Sequence, residues 1–140
     1  MKDRYYFITK RREYRVGRYN SVELTKKEVE RETFIERLEY LTKEEYERLM
    51  SGSIVCRGCY IFTIKSRFEM LREKALCESG VKRNGHNYNR ANKIAEEIKN
   101  GKINKDNLYK KVKTMTRKVK SEQALSDWTK IVDWFASAEW

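Results

Sequence analysis

The sequence predicts an α+β fold, with strands gathered near the N-terminus and helices following them. Three observations carry this. Residues 4–19 mix aromatic and β-branched residues with charges, as a strand pair does. Thr-x-x-Glu phrases before apolar residues mark helix starts. Apolar residues at helical spacing run through the second half of the chain.

Taken in order, Arg4–Thr9 and Glu13–Tyr19 predict a β-hairpin over 4–19, with Lys10-Arg11-Arg12 as its basic turn. Leu24-Thr25-Lys26-Lys27-Glu28-Val29 and Leu41-Thr42-Lys43-Glu44-Glu45-Tyr46 are nearly one phrase, 17 residues apart. Each offers a Thr N-cap, a Glu three residues on and a hydrophobic staple, so helices are expected from about 26 and 43, together spanning about 26–50. Val29, Ile35, Leu38 and Leu41 would stripe the first, and Tyr46, Leu49 and Met50 the second.

Ser51-Gly52-Ser53 breaks the pattern, and residues 54–65 read as a third strand with a bulge at Gly58. Ser66-Arg67-Phe68-Glu69 is another capping box, opening a helix over 66–79. Residues 81–92 read as a polar loop or small hairpin turning at Asn84-Gly85. A short helix over 90–99 follows, and Leu108, Val112, Met115 and Val119 predict another in a basic region, 81–120. Leu125, Trp128, Val132 and Phe135 mark a C-terminal helix over 121–138. The expectation is a hairpin and a third strand in a small antiparallel sheet, packed with about five helices. At 140 residues, the chain reads as a single compact domain, 1–140.

Charge is the strongest functional signal. The chain carries 32 Lys and Arg against 21 acids, a formal net charge of +11. Residues 1–19 hold seven cations against two acids, and residues 81–120 hold thirteen against three, whereas 20–52 and 121–140 are acidic. Segregated cations build a field that draws polyanions. Candidate contacts to nucleic acid or a partner are Arg4, Arg11, Arg12, Arg15 and Arg18 in the hairpin, where tyrosines offer stacking faces. Lys82, Arg83, Arg90 and Lys93, with Lys110, Lys111, Lys113, Arg117, Lys118 and Lys120, form the second set. A solvated lysine surface is the plainer alternative.

Cys56, Cys59, Cys77 and His86 spell C-x2-C-x17-C-x8-H, the donor types of a closed zinc site. Tyr-Ile-Phe after Cys59 reads instead as strand, and Cys77 as a core residue of a helix, so burial explains the cysteines more simply. A redox pair would need C-x-x-C at a helix start. His86, the lone histidine, lies in the predicted loop without paired carboxylates or a second His. No phosphate-loop, dinucleotide or nucleophile-elbow motif occurs. No catalytic set is complete, so neither an enzyme nor a cofactor is expected.

No apolar run approaches the roughly 20 residues of a membrane span, and the N-terminus lacks the apolar core of a signal peptide. An odd cysteine count with no secretion signal fits a reducing, cytoplasmic setting. The function expected is a small basic binding protein, acting on RNA or DNA or on a nucleic-acid-processing protein complex. By size and composition, a phage or mobile-element inhibitor of a host defence ribonucleoprotein, such as a CRISPR effector, is the foremost candidate. The alternative is a DNA-binding transcriptional regulator, zinc-stabilised or not, reading a groove with a 105–120 helix through Arg117 or Asn107. Trp134 and Trp140 in the acidic tail read as core packing before interface anchors.

Overall fold

The computed structural model describes residues 2–38 and 41–140. Among these the fold is α+β, with a four-stranded antiparallel sheet and six helices. The described residues group into two compact units, Lys2–Ser66 and Arg67–Trp140, each described by itself.

In the first unit, β1 (Arg4–Val16) and β2 (Tyr19–Val29) form one long hairpin. Its turn is Gly17-Arg18, not Lys10-Arg11-Arg12, because Val16 pairs with Tyr19 across two residues. Two-residue turns need a positive φ, and Gly17 supplies +60°. Lys10, Arg11 and Arg12 sit mid-strand instead. The capping phrase at Thr25 is likewise overridden: Thr25 pairs with Lys10, and Glu28 with Phe7. Helix α1 (Arg31–Leu38) therefore begins five residues later than the expected start at 26. The middle of the expected helical stretch 26–50, residues 39 and 40, lies outside the described residues.

The second phrase behaves as expected. Helix α2 (Lys43–Met50) starts at Thr42, whose hydroxyl accepts from the Glu45 N–H at 3.1 Å while the Glu45 carboxylate accepts from the Thr42 N–H at 3.4 Å. Partial desolvation would raise the Glu45 pKa, but the Thr42 bonds and the Arg57 guanidinium, 2.7 Å away, hold it below the usual carboxylate value. Substituting Thr42→Ala is expected to cost about 1 kcal/mol, read as a lower urea midpoint, with Thr42→Ser retaining most of it.

The expected third strand is two strands, β3 (Val55–Arg57) and β4 (Tyr60–Ser66), joined by Gly58-Cys59. Gly58, at φ +60°, makes a hairpin turn and not a bulge. The sheet order is β2-β1-β4-β3. One sheet face carries Tyr6, Ile8, Phe62 and Ile64, which pack with Phe34 and Leu38 of α1 and Leu49 of α2. Phe34 anchors this core, its ring 5.2 Å from Tyr6 and 5.5 Å from Phe62. Ile35 and Tyr46, expected in the apolar stripes, are exposed.

The second unit comprises α3 (Arg67–Glu78), α4 (Gly85–Lys99), α5 (Leu108–Met115) and α6 (Glu122–Ser137). Leu71, Ala91, Ile94, Leu108, Ile131 and Phe135 are fully buried among them. Asn84-Gly85 opens α4 and not a hairpin, because the Asn84 side chain accepts from the Asn87 N–H at 2.8 Å and caps it. Helix α5 stops at Met115, short of Val119. At the end of α6 the Lys105 ammonium donates to the carbonyls of Phe135 (2.9 Å), Ala136 (3.1 Å) and Ala138. Partial burial lowers the Lys105 pKa, with nearby Glu139 opposing. Trp140 lies against this cap, donating to the Phe135 carbonyl at 2.7 Å, and the Trp134 indole donates to Glu78 at 2.9 Å. Both tryptophans pack against the unit's core.

Candidate nucleic-acid interface

The hairpin outruns its sheet. Strand β4 accompanies β1 only from Arg4 to Lys10, and the last backbone contact to that side is the Arg11 N–H donating to the Cys59 carbonyl at 2.7 Å. Five further rungs follow, from Arg12↔Glu23 to Val16↔Tyr19. At about 3.4 Å per rung, the ribbon extends about 17 Å past the sheet. Every residue from 10 to 20 and from 22 to 28 is exposed, on both faces.

Register sorts the ribbon's side chains, since paired residues share a face. Arg11, Glu13 and Arg15 lie on one face with Leu24, Val22 and Asn20. Arg12, Tyr14 and Val16 lie on the other with Glu23, Ser21 and Tyr19. Residues 10–27 hold seven cations against two acids. Arg11 pairs with Glu13 at 2.9 Å, and the Arg12 guanidinium lies 6.0 Å from the Tyr14 ring. Arg15 and Arg18 meet no carboxylate among the described residues. Tyr19, at 78% exposure, stands in solvent next to Arg18, and Leu24, at 60%, lies opposite Arg11.

The arrangement presents guanidinium groups between apolar and aromatic surfaces on a narrow arm. Arginine forks pair phosphates bidentately, and aromatic faces stack on bases. Arg4 stands apart, exposed at the start of β1 beside Lys2, Asp3 and Glu30 in a cleft of about 430 Å³.

In the second unit, the stretch 107–121 holds six cations and no acid. Lys110, Lys111 and Lys113 are exposed on α5, around its buried Leu108 and Val112. Arg117, Lys118 and Lys120 are also exposed, but they lie in the connection after α5. Lys93 is exposed on α4, and Lys82 and Arg83 precede its cap. The Arg83 guanidinium lies 3.3 Å from the Cys77 sulfur.

Arg90 is different. It is turned inward, donating to the Asn87 carboxamide at 2.7 Å and facing the Asp127 carboxylate at 3.6 Å. Asn87 is fully buried and also donates to the Lys82 carbonyl at 2.8 Å, and Asp127 accepts from Gln123 at 3.0 Å. This network ties α4 to α6, so Arg90 holds the unit together and is not part of the outer surface. Asn107, a suggested base reader, serves structure too: its side chain accepts from the Asn104 N–H at 2.7 Å and donates to the Lys102 carbonyl at 3.1 Å.

All three cysteines are free and exposed, against the expectation of burial. Cys56 points away from the core because Val55 and Phe62, one rung over, take the inward face, and Cys59 lies in the turn. Cys77 lies one residue past the Ala75-Leu76 pair that fills the core side of α3. His86 is exposed in the first turn of α4, not in a loop. Cys56 and Cys59 belong to the first unit, and Cys77 and His86 to the second. Among the described residues no three His, Cys, Asp or Glu side chains gather as a metal would require. No helix is long and apolar enough to cross a membrane.

Compared with known proteins, the chain matches no family model, no curated protein and no solved structure.

Proposed function

We propose that the protein is a non-enzymatic nucleic-acid-binding protein that grips its ligand with the β1–β2 ribbon. The observation that carries this is the ribbon itself, five rungs with no fully buried residue on either face. A two-stranded hairpin is marginal in water, so an exposed one contributes little to the fold. Its basic and aromatic side chains suit a polyanion whose bases stack. The cations of 110–120 extend the same attraction on the second unit.

Acting in the cell interior fits three exposed free thiols. The expected groove-reading helix at 105–120 spans only Leu108–Met115, and Asn107 is engaged by its own turn, which favours the ribbon as the reading element. The narrower role, inhibition of a host defence ribonucleoprotein such as a CRISPR effector, would use the ribbon on that enzyme's guide or target strands.

The test is a salt titration of affinity for the variant carrying Lys110→Gln, Lys111→Gln, Arg117→Gln and Lys118→Gln. These side chains are exposed, so the fold should persist. If they neutralise phosphates, the slope of log affinity against log salt becomes shallower by about 3–4. An unchanged slope would remove the second unit from the interface.

A further inference from the structure

We infer that the ligand is duplex DNA, entered by the ribbon through the major groove, with Arg15 and Asn20 reading base edges. This rests on the nucleic-acid reading above and names its substrate class. Size argues first. Two paired strands lie about 4.8 Å apart, and with side chains the ribbon fits a B-form major groove about 12 Å wide. An undeformed minor groove, about 6 Å wide, is too tight, and the major groove of duplex RNA is deep and narrow. The projection of about 17 Å exceeds the groove depth of about 8.5 Å, so the tip reaches the base edges before the sheet meets the backbone.

The chemistry at that depth is the second argument. Arg15 and Asn20 face each other across the rung next to the tip, on the same side of the ribbon. Arginine recognises guanine through O6 and N7, and asparagine recognises adenine through N6 and N7, each with two hydrogen bonds. Directly opposed side chains start about 5 Å apart, close enough to address neighbouring base pairs. Both residues are exposed. No carboxylate among the described residues engages Arg15, whereas Arg11 is held by Glu13. On the same face, Val22 and Leu24 are exposed and suit the methyl group of thymine. Arg12 projects from the opposite face and Arg18 from the turn, where phosphates flank an inserted ribbon.

The experiment is selection of duplexes from a randomised DNA library with the full chain at about 0.15 M salt. Affinities for the selected and a scrambled duplex are then compared for the wild type, Arg15→Ala, Arg15→Lys and Asn20→Ala. The expected selection contains guanine beside adenine, bound at least about tenfold more tightly than the scrambled duplex. Arg15→Ala and Asn20→Ala should each erase most of that preference, with Asn20→Ala leaving the scrambled affinity nearly unchanged. Arg15→Lys should keep the scrambled affinity but not restore the preference, because an ammonium is a point charge and not a fork. Thermal unfolding of each variant verifies that the fold is kept. Binding without sequence preference, or tighter binding to single strands or duplex RNA, overturns this inference and leaves the nucleic-acid reading standing. No binding to any nucleic acid overturns both.

Discussion

Replacing Arg11–Leu24 with Asn-Gly is expected to abolish most nucleic-acid binding while leaving the fold intact. The replacement joins Lys10 to Thr25, a hydrogen-bonded pair like the Val16–Tyr19 pair at the native turn, through the turn that two-residue hairpins prefer. The deleted segment contributes no buried residue to either core. It does remove Arg12, Arg15 and Arg18 together with Tyr14 and Tyr19. Three charge-assisted contacts of about 1 kcal/mol each multiply to a loss on the order of a hundredfold in affinity. The urea midpoint should stay close to that of the wild type, because little surface burial is lost. A large fall in the midpoint would mean that the ribbon stabilises the fold. An unchanged affinity would assign the binding elsewhere.

Asp127→Ala is expected to produce the largest loss of stability of any polar substitution in the second unit. The Asp127 carboxylate, 11% exposed, faces the Arg90 guanidinium at 18% and takes the Gln123 amide as well. Removing it leaves a mostly buried cation with only the Asn87 oxygen as an acceptor in this network. Breaking such a pair from one side costs about 3 kcal/mol, which for a unit of this size lowers the melting temperature by more than about 10 °C. Converting both partners, as Arg90→Met with Asp127→Leu, should cost less than the single change, because no charge is left stranded. A cost below about 1 kcal/mol for Asp127→Ala would show that water already screens the pair.

Much of the fold is legible in local chemistry. The Thr42–Glu45 box starts α2, and the spacing of Trp128, Val132 and Phe135 marks α6. The Thr25 phrase shows where local reading stops. Its residues match those at Thr42 almost one for one, yet they form the outer strand of the hairpin. Propensity differences are small enough for pairing with β1 along eleven rungs to decide the matter. Val22 and Leu24, two residues apart, are the strand signal there, and Gly17 marks the turn.

That same override hides the candidate site. With the turn placed at Lys10-Arg11-Arg12, the arginines decorate a short hairpin; with it at Gly17-Arg18, they line a projecting arm. Asn20 escapes notice for this reason, since only the register sets it opposite Arg15. Arg90 misleads in the other direction: nothing in its neighbourhood of Asn89 and Ala91 announces a partner 37 positions away. The cysteines read as buried because a three-residue strand and a turn cannot be told from one bulged strand in so few residues.

The most direct test of the ribbon's role is the salt dependence of wild-type binding to a labelled DNA duplex, with protein stripped of copurifying nucleic acid. If Arg12 and Arg18 of the ribbon and the cations of 110–120 neutralise phosphates, log affinity falls linearly with log salt, with a slope on the order of −4 to −8. A flat dependence, or no binding even at about 50 mM salt, would contradict it.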